Sequence, residues 1–386
     1  MAKKAKIEEI PKVSKDERED MLANDILDII NKKFKGVNNA LGYLGNANLV
    51  DTYVSTGSAM LDLAISNRAF GGLGFGIMCE IFGPSASSKS LLAAHILAET
   101  QKMGGLAVLF DTENAVGMLD FYKSIGLKVE TALYSDKIRD LESIFLTIES
   151  IIERSLVINK DRPITICIDS IMGATTLAEL EDDYEKGGWA TAKSIILSKA
   201  MRKITSLLVG RKILIVFINQ VRTNLGITFG TNHTTSGGMA IGFHSSVRLK
   251  TKAGKKIVVD DMEIGSEVQV TVIKNRLGPP GRSALFNIYY ESGIDDYGSW
   301  LNTLKDFGIL KLNGAWYSYE YIDSDSGEIV VKKFQSKDFK KLLEQTPGLK
   351  DIIYDQICEA YIMRYKIDEP PGIDDVQYGD EIHETE

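Results

Sequence analysis

The chain has 386 residues, 45 Lys and Arg against 53 Asp and Glu, a formal net charge of -8 and 44% apolar residues. That length and apolar share suit a soluble main domain with extensions, and no charge-free apolar run is long enough to span a membrane. Cys79, Cys167 and Cys358 stand singly in apolar patterns, and His95, His233, His244 and His383 lack ligand spacing, which argues against disulfide frameworks and zinc motifs.

In chain order, Met1-Ala2-Lys3-Lys4-Ala5-Lys6 is basic, but no apolar segment follows it as a secretory signal requires. Met21, Ile26, Leu27, Ile29 and Ile30 mark a short amphipathic helix in a charge-rich segment ending near Gly36. From Val54 to about Tyr290 strands and helices alternate, the pattern of an α/β domain with a mostly parallel sheet. Its first strong strand, Ile77 to Phe82, runs into Gly83-Pro84-Ser85-Ala86-Ser87-Ser88-Lys89-Ser90 and then a helical stretch from Leu91 to Met103. The strand from Leu106 to Phe110 exits at Asp111-Thr112-Glu113, that from Ile164 to Ile168 at Asp169-Ser170, and that from Ile213 to Ile218 at Asn219-Gln220. Four apolar strands with polar exits build a site at the carboxyl edge of a parallel sheet.

Two segments are unusual within this domain. Glu181 to Gly188 is polar and runs into Trp189, and Arg222 to Gly238 is long, rich in Gly and Thr, and shows no clear period. Long irregular loops in compact domains are mostly functional or disordered. Val268, Val270 and Val272 then alternate with polar residues as in a half-buried strand. Beyond about Gly293, Trp316-Tyr317-Ser318-Tyr319 and Ile329-Val330-Val331 flank a turn, and helices start near Ser336 and Leu349, giving a small α+β appendage. Asp368 to Glu386 holds all of the net negative charge: eight acids and no Lys or Arg, so the remainder is formally neutral and local basic faces are allowed. The tail is either a solvated end or an electrostatic competitor for a basic groove. The expected organisation is an N-terminal helix (1–36), a core (37–294), a small α+β domain (295–366) and an acidic tail (367–386).

A strand, a loop of small residues and a Lys-Ser pair opening a helix form the layout of a phosphate-binding P-loop. Backbone N–H groups of Gly83 to Ser90 would wrap phosphates, aided by the helix N-terminus. Lys89 would reach the β- and γ-phosphates, and the Ser90 hydroxyl would hold Mg²⁺, with the Asp169 carboxylate supporting the ion. The pattern asks for Gly where this chain has Ser88. Gly favours positive φ, and Ser adopts it at a cost of about 1 kcal/mol.

Together these residues resemble the RecA-type recombinases of bacteria and phages. The likeness runs in order through Ser55-Thr56-Gly57-Ser58, the P-loop, Asp111-Thr112-Glu113, Ile168-Asp169-Ser170, Ala200-Met201-Arg202-Lys203 and Phe217-Ile218-Asn219-Gln220. It continues through Thr234-Thr235-Ser236-Gly237-Gly238, Ser246-Val247-Arg248-Leu249, Val272-Ile273-Lys274-Asn275-Arg276 and Gly314-Ala315-Trp316-Tyr317-Ser318-Tyr319, about four fifths of the chain. The resemblance implies a DNA-dependent ATPase that uses ATP and Mg²⁺, forms a helical filament on single-stranded DNA, and exchanges strands with double-stranded DNA. It implies Glu113 as the catalytic carboxylate, Gln220 as the γ-phosphate sensor, and Lys274 and Arg276 as cations reaching ATP on the neighbouring subunit. Phe121 falls one residue from a position that stacks on adenine. The loops ending at Trp189 and Gly238 match DNA-binding loops: Arg202 and Arg222 would meet phosphates, Trp189 and Leu225 would wedge between base triplets, and Gly237 and Gly238 close the second loop. Trp189 also suits an ordinary core tryptophan. The resemblance further implies docking of the N-terminal helix on the next subunit, single-strand-binding and loader proteins as partners, no membrane, and the cytoplasm of a bacterial or phage-infected cell. Departures include Ser88, Gly242 where a Lys is usual, Arg276 where a Lys is usual, and the acidic run Glu181 to Glu185. Two rivals stay open: a ring-forming ATPase on the same core, and a DNA-binding filament without turnover. The Gly-Gly-ended loop and the Trp316 segment weigh against the first. The joint presence of Glu113, Asp169, Lys274 and Arg276 weighs against the second.

Overall fold

The computed structural model describes residues 15–34, 41, 50–114, 116–181, 189–223, 233–235, 240–322 and 327–363. The chain divides into two compact units, Met1–Leu49 and Val50–Glu386. In the first, helix α1 spans Lys15–Lys33, as the apolar spacing predicts. Its Met21, Leu22, Ile26 and Ile29 are exposed. Asn31 ties the helix end to Leu41, donating to its carbonyl and accepting from its N–H, both at 3.0 Å.

The second unit opens with β1 (Tyr53–Val54), α2 (Ala59–Ser66) and β2 (Leu73–Gly74), with β1 and β2 paired antiparallel. Then follow β3 (Met78–Gly83), α3 (Lys89–Lys102), β4 (Leu106–Asp111), α4 (Leu119–Ser124) and β5 (Leu133–Ser135). Next come α5 (Leu141–Ile158), β6 (Ile164–Asp169), α6 (Leu177–Glu181), α7 (Trp189–Leu208), β7 (Ile213–Thr223), β8 (His233–Thr235) and α8 (Ala240–His244). An antiparallel wing follows: β9 (Val247–Val259), β10 (Met262–Asn275), β11 (Ser283–Tyr289) and β12 (Gly293–Ile294). The main sheet runs β12-β11-β10-β9-β3-β7-β6-β4-β5, with β8 paired to β7. The pairs of β3 with β7 and β9, β6 with β7, and β4 with β5 and β6 are parallel.

The central parallel strands β3, β4, β6 and β7 are mostly apolar because helices cover both of their faces. Cys79, Ile81, Leu109, Cys167, Val216 and Ile218 meet Leu92, Ile96 and Leu97 of α3 on one side. Met78, Val108, Phe110, Ile166, Ile168 and Phe217 meet Ile144 and Ile148 of α5 and Met201 and Ile204 of α7 on the other. Strand alternation sends neighbouring residues to opposite faces, and each such side chain contributes about 1.5–3 kcal/mol by burial. Helix α5 starts where the Asp140 carboxylate accepts from Ser143 N at 2.7 Å, an N-cap worth about 1 kcal/mol.

The remainder comprises α9 (Asp296–Asp306), β13 (Lys311–Asn313), β14 (Trp316–Ile322), β15 (Ile329–Phe334), α10 (Phe339–Gln345) and α11 (Leu349–Tyr361). The anticipated hairpin is β14–β15, joined by β13 into a small antiparallel sheet. Trp300, Leu304, Tyr319, Phe339 and Ile353 belong to the same apolar cluster as Leu61 and Ile96. The change near residue 295 is thus one of topology within a continuous core. Among the described residues, no helix is long and apolar enough to cross a membrane.

Candidate nucleotide-binding site

The anticipated phosphate loop sits between β3 and α3, at the carboxyl edge of the parallel strands. Gly83 must be glycine for reasons of space: a Cβ there would lie 2.4 Å from both the carbonyl oxygen and Oγ1 of Thr251 on β9. Ala86 (φ 56°) and Ser88 (φ 63°) both take the left-handed conformation. Ser88 therefore holds the geometry that the P-loop pattern assigns to Gly, and its hydroxyl makes no capping hydrogen bond. The Ser87 hydroxyl donates to Pro84 O at 2.7 Å and lies 2.7 Å from the Thr251 hydroxyl.

Lys89 is buried, and Nζ donates to Pro84 O at 2.6 Å. Burial lowers its pKa, and the nearby Asp169 and Glu113 carboxylates oppose that shift. Ser90 donates a hydrogen bond to Asp169, whose pKa is pushed up to about 6, first by burial and then by Glu113 and Asp111. A carboxyl poised there ionises readily once a cation arrives. A hydroxyl beside a carboxylate is also the oxygen set that hard divalent cations take together with phosphate and water.

Glu113 lies beside these groups. Its Oε1 accepts from the Ser170 hydroxyl and from Gln220 Nε2, the latter at 3.2 Å. Its backbone N–H donates to Asp111 Oδ1 at 3.0 Å. The ends of β4, β6 and β7 thus bring Glu113, Asp169 and Gln220 together, as the strand exits predict. Gln220 is oriented in turn: its N–H donates to Asn219 Oδ1 at 3.0 Å, and Asn219 Nδ2 donates to Glu80 Oε1 at 2.9 Å. Glu80 is fully buried, and its Oε2 takes Arg248 Nε at 2.7 Å. Sequence reasoning missed this Glu80–Asn219–Arg248 cluster, although one acid inside the apolar run Ile77 to Phe82 was its signal. It also missed Thr251 and Ser170.

Lys274 is half-buried and donates to the carbonyls of Gly242 at 2.9 Å and Phe243 at 2.7 Å. Burial, then Arg276 and Arg248, lower its pKa. Arg276 is exposed beside it. The two cations are clustered with Arg248. Phe121 of α4 is half-buried and packs edge-on to His95, with ring centroids 6.1 Å apart. Among the anticipated DNA-contacting residues, Arg202 is exposed on α7. The side chains of Trp189 and Arg222, the residues Leu225, Gly237 and Gly238, and the acidic tail lie outside the described residues. Strand β7 continues to Thr223, and β8 returns beside it with Val221 opposite Thr235.

Comparisons with known proteins agree with this architecture. The model of the RecA N-terminal domain matches residues 21–295. Protein RecA of Ruminococcus albus is 36% identical over 297 residues, covering 76% of this chain and 71% of the relative. Protein RecA of Syntrophobacter fumaroxidans is 31% identical over 350 residues (91% and 96% of the two chains). Protein RecA of Allochromatium vinosum is 32% identical over 346 residues, covering 89% and 94%. A phosphate loop on an α/β sheet and relatives that match along most of both chains lead to one identification: this chain belongs to the RecA family, the ATP-dependent recombinases and DNA-dependent ATPases of homologous recombination and repair.

Proposed function

We propose that this protein assembles as a helical filament on single-stranded DNA, with ATP and Mg²⁺ held between adjacent subunits, and pairs that strand with homologous double-stranded DNA. The observation that carries the reading is the meeting of Glu113 with Ser170 and Gln220, beside Lys89 and the Ser90–Asp169 pair. ATP would supply the phosphoryl group, and Mg²⁺ would neutralise charge on its oxygens. Backbone N–H groups of Gly83 to Ser90 would wrap the phosphates, with Lys89 exchanging Pro84 O for a phosphate oxygen. Glu113 would take a proton from the attacking water. Gln220 would leave Glu113 for the γ-phosphate, carrying the base of the β7–β8 segment with it. Lys274 and Arg276 would stabilise charge on the neighbour's nucleotide. The exposed part of Phe121 would flank the base.

DNA contacts are assigned to Arg202, Arg222, Trp189, Leu225, Gly237 and Gly238, and subunit docking to the apolar residues of α1. The bacterial origin of the relatives supports a cytoplasmic setting in a bacterial or phage-infected cell, with single-strand-binding and loader proteins as partners. Electron microscopy with ATP and single-stranded DNA tests the assembly. Helical filaments are expected, and closed rings would contradict the reading.

A further inference from the structure

We propose that Ser170 positions the Glu113 carboxylate, fixing which of its two oxygens acts on water. The inference rests on the reading of Glu113 as the base. Asp111 and Asp169 are register partners at the ends of β4 and β6, so the residues after them meet across the gap between the strands. Thr112 N donates to Asp169 O at 2.8 Å. Ser170 N donates to Thr112 Oγ1 at 2.9 Å, and that hydroxyl donates back to Ser170 O at 2.7 Å. Both residues are buried, so this reciprocal pair holds the Ser170 backbone in place.

The Ser170 hydroxyl then has one arrangement. It accepts from Gly173 N at 3.2 Å and faces Glu113 Oε1, an oxygen that accepts only, so its proton points at the carboxylate. Gly173 supplies the room, because a Cβ there would lie 2.7 Å from Thr112 Oγ1 and 3.1 Å from Glu113 Cγ. Gln220 donates to the same Oε1. With both donors on Oε1, Oε2 is the oxygen left to receive a proton from water. Gln220 is drawn away when it engages a phosphate. Ser170, anchored by Thr112 and Gly173, is the donor that remains throughout turnover.

The test uses the full chain with Ser170→Ala and Ser170→Thr, and reads kcat and KM for ATP turnover on single-stranded DNA. Ser170→Ala should lower kcat about tenfold and leave KM for ATP within about twofold. Ser170→Thr keeps the hydroxyl and should restore kcat. A folded Ser170→Ala with unchanged kcat overturns the inference if Glu113→Ala is inactive. A slow Ser170→Ala that Thr does not rescue overturns it as well. Turnover that survives in Glu113→Ala instead overturns the assignment of the base. Should the Ala variant fail to fold, Ser170→Cys carries the same test: a weaker donor of similar size, expected to lower kcat severalfold at unchanged KM, with a parent-like kcat overturning the inference.

Discussion

Replacing Ser88 by Gly separates two effects of the one residue that departs from the P-loop pattern. Ser88 sits at φ 63°, ψ 23° and gains no capping hydrogen bond there. A left-handed residue with a Cβ costs about 1–2 kcal/mol, and Gly removes most of that. Gly also has more freedom to lose on folding, so the net gain is about 0.5–1 kcal/mol. For a chain of this size that is a rise in Tm of about 1–2 °C. The loop itself is held by the Thr251–Ser87–Pro84 hydrogen bonds and by the close approach of Gly83 to β9, none of which involve the Ser88 side chain. The backbone offered to phosphate should therefore be the same in both proteins, and KM for ATP should change by less than about threefold. Ser88→Val is the counterpart. A β-branched side chain resists this conformation and must distort the loop, raising KM about tenfold or more. Thermal unfolding and steady-state ATP turnover of the three proteins decide the matter. A lower Tm in Ser88→Gly, or a tenfold change in its KM, would show that the hydroxyl shapes the nucleotide site and would refute the argument from backbone conformation.

Two further outcomes are expected. His95 accepts from Ile294 N at 3.1 Å and is neutral, because burial depresses its pKa from 6.5 to about 4. The unfolded chain binds the extra proton between those values, so this group removes about 3 kcal/mol of stability as pH falls from about 6.5 to about 4. Asp62 and Asp296, pushed up to about 7 chiefly by burial, act in the opposite sense: their contribution is complete at low pH and is lost as pH rises from about 4 through 7. Denaturant unfolding against pH should show a shallower acid loss in His95→Gln than in the parent, and equal slopes would refute this assignment. Removing residues 368–386 takes away eight acids, so DNA affinity should rise, most at low salt. Unchanged affinity in a salt titration would leave the tail as a solvated end.

The parts legible in the sequence were those with local signatures. A phosphate loop must place small residues and Lys89 between a strand and a helix. A buried parallel strand reads as an apolar run, and the polar residues at its exit mark the site edge, as Glu113, Asp169 and Gln220 do. The parts that were not legible are contacts between distant segments. Glu80 and Arg248, or Ser87 and Thr251, are more than 160 positions apart and carry no local pattern. Ser170 looked like the residue after a metal-supporting Asp, and its hydrogen bond to Glu113 depends on the register of β4 against β6. The pairing of β8 with β7 was hidden by a Thr- and Gly-rich composition that gives little period-2 contrast. The shared core of α9 and α11 with the main sheet likewise came from tertiary packing, where a shift in pattern had suggested a separate domain.

The central claim is that the strand-end residues around Lys89 turn over ATP in response to DNA. The most direct measurement is ATP hydrolysis by the parent and by Lys89→Ala, each with and without single-stranded DNA, alongside a homologous-pairing assay. The account predicts turnover that rises with DNA, accompanies pairing, and falls with pairing to background in the variant. Turnover indifferent to DNA, or pairing that survives in Lys89→Ala, would contradict it.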